Sequence, residues 1–199
     1  VKDPAKLFLT TYPRCASNFF VDYLEQAYGV VFTRHFSGAR VGVAIPGNPN
    51  FIKTHSMDKN QKNQVSIIRD PAESLVSIMA MENTFFERSL LEIAHSRLIE
   101  YIEYYSYLLK YVDIIYTYED VSQKTKMVAE DIAKRLKIKI IDYEYVSGTD
   151  RNHTSNTNVS SSKTLPNYED SIATLPSLDH LLFTAKLIYD MVKEKAIAI

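Results

Sequence analysis

Nine consecutive residues, Thr11-Tyr12-Pro13-Arg14-Cys15-Ala16-Ser17-Asn18-Phe19, bring together groups suited to holding an anion. They lie between a short apolar run and a helical pattern, so a strand-to-helix turn is expected. Such a turn presents helix N-terminal amides with no intrahelical partner. Arg14 adds a permanent charge, and Ser17 and Asn18 add donors. The G-x-x-x-x-G-K-[ST] spacing of a Walker A loop is absent. A thiol at a helix N-terminus is a candidate nucleophile, but Val21 stands where the C-x5-R pattern of cysteine phosphatases needs arginine. Cys15 therefore reads as a small loop residue.

Lys53-Thr54-His55 closes a second apolar run. Ligands of parallel sheets gather beyond the carboxyl ends of strands, so His55 is expected to face the same crevice as Arg14. A histidine there can take a proton from a hydroxyl near neutral pH. His35, His95, His153 and His180 read as structural or solvated. Arg69 ends a third apolar run, and Ser77 follows eight residues later. A guanidinium and a hydroxyl can grip one phosphate together.

These residues need strands and helices to position them, and the pattern supplies both. Lys6–Thr11, Val30–His35, Phe51–Thr54, Val65–Arg69 and Asp113–Tyr118 read as strands. Helices are expected over Phe19–Tyr28, from Pro71 onward, over Glu87–Lys110, Gln123–Leu136 and Ser177–Lys195. Asp70-Pro71-Ala72-Glu73 carries a strong start signal: an N-cap acid, proline at the first position and a capping-box glutamate. This alternation argues for one α/β domain over residues 1–199, with helices on both faces of a sheet. Tyr143–Leu175 is polar and without apolar period, and reads as a long loop or lid.

Four of these segments resemble the nucleotide site of sulfotransferases that use 3′-phosphoadenosine-5′-phosphosulfate (PAPS). Thr11–Phe19 is similar to their phosphosulfate loop, T-Y-P-K-S-G-T-T-W. Phe51–His55 is similar to the strand that ends I-K-T-H in the catalytic histidine. Ile68–Ser77 resembles the 3′-phosphate motif R-N-P-x-D-x-x-x-S, and Tyr116–Asp120 the Y-E-D segment whose tyrosine lies against adenine. The four occur in family order, over about Leu7 to Leu136. The resemblance implies a three-layer α/β/α, P-loop-NTPase-like fold with a central parallel sheet. It implies transfer of a sulfuryl group from PAPS to a hydroxyl-bearing acceptor, a small molecule or a glycan, with 3′,5′-bisphosphate (PAP) as product. His55 would be the general base, with Arg14 and Lys53 stabilising charge. Arg14, Cys15, Ala16, Ser17, Asn18, Phe19, Arg69, Ser77 and Tyr118 would contact the nucleotide. Departures are Arg14 for lysine, Cys15-Ala16 for Ser-Gly, Phe19 for tryptophan, and a missing R-K-G segment. Arg151 and Lys163 are the candidates to replace that segment.

Composition sets limits. The 199 residues are 46% hydrophobic and 24% charged, with a formal net charge of −1. No partner in nucleic acid or membrane is expected from such a balance, and an anion site must be built locally. No apolar run approaches membrane-spanning length and no secretory h-region is visible. The single cysteine excludes an internal disulfide and leans toward a reducing, cytoplasmic setting. The start at Val1 leaves room for a trimmed leader or anchor. The two sequons at Asn152 and Asn158 lie in a Ser/Thr/Asn-rich stretch where chance produces them. No ligand cluster points to a metal. Two other readings stay open: a P-loop-type kinase or nucleotide hydrolase, and a non-catalytic nucleotide-binding module on the same fold.

Overall fold

The computed structural model describes residues 7–36, 43–86, 89–141 and 178–199. Within them, strands β1 (Leu7–Thr10), β2 (Phe32–Phe36), β3 (Val43–Ile45), β4 (Asn48–Thr54), β5 (Gln64–Ile68) and β6 (Ile114–Thr117) form one sheet. Its spatial order is β3-β2-β4-β1-β5-β6. The five strands from β2 to β6 in that order are parallel, and β3 pairs antiparallel to β2 at the edge. Parallel strands covered on both faces must be apolar throughout. Leu7 and Leu9 of β1 and Val65, Ile67 and Ile68 of β5 are accordingly fully buried. The sequence reading contained the five parallel strands; β3, three residues long, was not foreseen.

Among the described residues, six helices accompany the sheet: α1 (Ser17–Tyr28), α2 (Pro71–Phe86), α3 (Leu90–Tyr111), α4 (Tyr118–Gln123), α5 (Thr125–Leu136) and α6 (Asp179–Lys195). The chain leaves β1 toward β2 on one side and leaves β5 toward β6 on the other. Right-handed crossovers then put α1 and α2–α3 on opposite faces. α1 packs with α5, where the Tyr28 hydroxyl donates to Ala129 O at 3.1 Å. α2, α3 and α6 pack together, with the Tyr105 and Tyr189 rings 6.2 Å apart. The adjacent strands β1 and β5, whose connections run in opposite directions, mark the topological switch point, and ligands of open α/β sheets bind beyond the carboxyl ends of strands at such a point.

Local signals explain the helix starts. Asp70 Oδ1 accepts from the Ala72 N–H at 2.9 Å, and Pro71 opens α2. Glu73, read from sequence as the capping-box acid, places its carboxylate on the Arg69 guanidinium at 3.0 Å. Ser89 caps α3 by accepting from the Glu92 N–H, and Thr117 caps α4 by accepting from the Asp120 N–H. The Thr117 cap ends β6 one residue earlier than the pattern suggests, so Tyr118 begins a helix. Past α6, the Ile197 N–H donates to Ile115 O at 2.8 Å and so covers the open edge of β6. The polar stretch Tyr143–Leu175 lies outside the described residues.

The seam between β2 and β4 is tight at Gly47. Asn48 N donates to Val31 O at 2.6 Å, and a Cβ on Gly47 would lie 2.5 Å from the Phe32 carbonyl carbon. Gly47→Ala should therefore push the two strands apart and cost about 1–3 kcal/mol, as overpacking does. Urea unfolding measures this; an unchanged midpoint would mean that the strands do not meet so closely in solution.

Candidate functional site

β1 ends at Thr10, and the Thr11 N–H donates to Thr54 O at 3.2 Å, which keeps the following loop beside the end of β4. Arg14 and Ala16 both take positive φ, 67° and 58°, while Cys15 between them does not. Alternation of this kind turns successive N–H groups toward one concave side, a nest suited to anions. Ala16 is the N-cap of α1 and has no side-chain oxygen to satisfy the first-turn amides. Two non-glycine residues in the left-handed region carry strain. Cys15 anchors the loop between them: it is fully buried, with Sγ 3.9 Å from Pro13 O and 4.0 Å from the Tyr105 hydroxyl. Burial pushes its thiol up to about 11, so it stays protonated and packs rather than attacks.

Across the switch point the loop meets the end of β5. Arg14 Nε donates to Ser77 Oγ at 2.8 Å, and Arg69 Nη1 donates to Arg14 O at 3.1 Å. Burial, and then the neighbouring Arg69 charge, lower the Arg14 pKa, though a guanidinium remains charged. Two partly buried like charges repel, and a shared anion relieves them. The Arg69 guanidinium also lies 4.3 Å from the centre of the Tyr118 ring. The sequence reading did not anticipate what fixes Arg69. Its N–H donates to the Tyr105 hydroxyl at 2.8 Å, and its carbonyl accepts from Tyr101 at 2.6 Å and from Tyr105 at 3.0 Å. The two phenol rings stack at 3.8 Å. Tyrosines spaced i, i+4 on a buried helix face were the available signal, because a buried phenol needs a partner.

On the other side of β1, His55 Nδ1 lies 2.5 Å from Thr11 O. A carbonyl only accepts, so Nδ1 carries the hydrogen and Nε2 keeps its lone pair. Burial, then the Lys53 cation, pull the imidazole down to about 4, so it is neutral at neutral pH. The turn beneath it is held by Thr54 Oγ1, which accepts from the Ser56 N–H at 3.0 Å. Lys53 is 2% exposed and donates to Asn18 Oδ1 at 2.5 Å. Burial, then Arg34, lower its amine to about 8, and Asp22 opposes them.

Of the residues singled out from sequence, Arg14, Ser77, Arg69 and Tyr118 form one linked group and Lys53, Asn18 and His55 a second. Thr11 joins the two, and its buried hydroxyl and that of Thr10 have no hydrogen-bond partner among the described residues. Ser17 is buried at the first position of α1, and Phe19 is 41% exposed on its outer side. Arg151 and Lys163 lie outside the described residues. Among the described residues, no three acidic, histidine or cysteine side chains gather as metal ligands, and no helix is long and apolar enough to cross a membrane.

The His55 geometry predicts an imidazole with a pyridine-type Nε2 and a titration midpoint near 4, measurable by nitrogen-15 NMR with His55→Asn for assignment. A midpoint near 6.5 would place the ring in water. The unfolded chain takes up this proton first, so stability should fall as pH drops from about 6.5 toward 4.

No protein-family model, curated protein or solved structure matches this chain, so its function rests on the residues and their geometry.

Proposed function

We propose that this chain is a PAPS-dependent sulfotransferase of P-loop-like fold that moves a sulfuryl group to a hydroxyl acceptor. The observation that carries the reading is the convergence of Arg14, Ser77 and Arg69 beyond β1 and β5, beside a neutral histidine with a free Nε2 beyond β4. A donor with two anionic ends fits such a site. Arg14 and the amides at the start of α1 suit the phosphosulfate, and Arg69 with Ser77 suits the 3′-phosphate. Tyr118, one face of which already carries the Arg69 guanidinium, is the candidate to meet adenine. Arg151 and Lys163 remain the candidates for the rest of the 3′-phosphate grip.

When bound, the donor supplies a sulfuryl group on a good leaving oxygen. The protein's share is positioning and charge stabilisation. Thr11 O orients His55 so that Nε2 receives the acceptor's proton as the new O–S bond forms. A base with so low a pKa takes little from a free hydroxyl, but the oxygen becomes far more acidic as it attacks. Arg14 and the loop amides meet the charge that grows on the leaving phosphate, with Lys53 as a second cation near the bridging oxygen.

Calorimetry on Arg69→Ala should show a loss of about ten- to over a hundredfold for PAP and little for adenosine 5′-monophosphate. Equal losses for both would remove the 3′-phosphate assignment. In the same experiment Glu73→Gln, which frees Arg69 from a partly exposed ion pair, should tighten PAP binding by roughly two- to fivefold.

His55→Ala should bind the donor normally and lose about 10²–10⁴-fold in transfer of labelled sulfate to phenols, alcohols and sugars. Transfer at the wild-type rate would make His55 structural. Wild-type protein that binds PAPS but transfers to nothing would favour the non-catalytic reading, and magnesium-dependent ATP turnover would favour the kinase or hydrolase.

A further inference from the structure

Lys53 has Leu9 opposite it on β1 and Arg34 opposite it on β2. Register partners in parallel strands project from the same face, here the face covered by α1, because Lys53 and Arg34 both bond to that helix. Two cations therefore stand on neighbouring strands under one helix, and the helix treats them differently. Arg34 Nη2 lies 2.9 Å from Asp22 Oδ1 and 2.8 Å from Glu25 Oε2. Glu25 is itself buried and fixed, since its other oxygen accepts from the Phe32 N–H at 2.7 Å. The lysine amine donates to the uncharged amide of Asn18, one turn before Asp22. The guanidinium, whose charge is permanent, thus holds two carboxylates of this helix, and the buried amine, whose charge is not, bonds to an amide beside it.

We propose that Arg34, clamped by Asp22 and Glu25, is a positioning residue whose fixed charge acts on Lys53 across the strand pair and makes it a proton donor rather than a permanent cation. The role in turnover rests on the sulfuryl-transfer reading above. As the acceptor oxygen bonds to sulfur, the bond from sulfur to the leaving phosphate oxygen breaks. The acceptor's proton goes to His55 Nε2, the leaving oxygen takes one from Lys53 Nζ, and solvent then returns a proton to Lys53 and removes one from His55. Among the described residues, the charged groups that act on the amine include Arg34 from β2, Asp22 from α1 and His55 from its own segment; β1 contributes Leu9. Burial and Arg34 pull the amine to about 8, within the range where a lysine donates efficiently.

The test is a titration of the full chain carrying carbon-13 at lysine Cε, with Lys53→Arg to assign the resonance. Wild type should titrate near 8. Arg34→Gln removes the repelling charge and frees Asp22, and should raise the midpoint by about one unit or more, tenfold in proton affinity. Asp22→Asn leaves Arg34 paired to Glu25, is the safer variant to fold, and should lower the midpoint. Opposite shifts from two partners in one ion pair are not produced by a purely structural role. A wild-type midpoint at the ordinary 10.5, or one unmoved or raised by Asp22→Asn, overturns the proposal. Sulfuryl-transfer rates supply the second arm. Their alkaline limb should fall as pH rises through the Lys53 midpoint, and should move up in Arg34→Gln and down in Asp22→Asn. Midpoints that shift as expected in a protein without transfer activity uphold the coupling and reject the sulfotransferase reading. Activity whose alkaline limb ignores the midpoints rejects Lys53 as the donor.

Discussion

Two guanidinium groups held side by side at the mouth of a parallel sheet are the constraint around which the site is organised. Arg14 and Arg69 repel one another in a partly buried setting, so neither would settle there without a scaffold that fixes the backbone beneath it. For Arg69 that scaffold is α3, whose Tyr101 and Tyr105 bind both the N–H and the carbonyl of the residue. For Arg14 it is the loop itself, folded through two positive φ angles around the buried thiol of Cys15. The Tyr105 hydroxyl lies beside both, 4.0 Å from Cys15 Sγ and 2.8 Å from Arg69 N. One phenol on one helix thus ties the ends of β1 and β5 together.

The remaining chemistry hangs from the other flank of β1. Thr11 N–H is bound to Thr54, and Thr11 O receives the imidazole of His55. The same residue that joins β1 to β4 therefore sets the histidine tautomer. Beneath it, burial weakens the hold of Lys53 on its proton, and burial, then the Lys53 charge, hold His55 neutral. Lys53 and His55 lie two residues apart at one strand end, and after burial the charge that acts on the amine is Arg34 of β2, opposed by Asp22 of α1.

Much of this was legible without a structure. The apolar runs located five parallel strands because a strand covered on both faces has few alternatives to continuous apolar sequence. Asp70-Pro71 announced the start of α2 because cap chemistry acts within one turn. The placement of Arg14, His55 and Arg69 at strand ends followed. Expectations failed where a short-range rule competed with a distant partner. Glu73 satisfies the capping-box pattern, yet its carboxylate goes to Arg69, whose charge outcompetes a backbone amide. Tyr118 reads as the end of a strand, yet the Thr117 cap turns it into a helix start beneath Arg69.

Sequence by itself determined the inventory and the order: which cations, which histidine, which strand each one ends, and the eight-residue spacing that puts Ser77 on the helix after Arg69. Those follow from periodicity and capping, which act over a few residues. Tertiary structure decided the pairings. Arg14 finds Ser77 across 63 residues, Arg69 finds Tyr105 across 36 and Lys53 finds Asn18 across 35. The sequence offers several donors and acceptors for each of these, and the choice among them is made by burial. Once the sheet and helices close, a polar atom that has lost water must take the partner the fold puts within reach, and a charge keeps or loses its proton according to the ions fixed beside it.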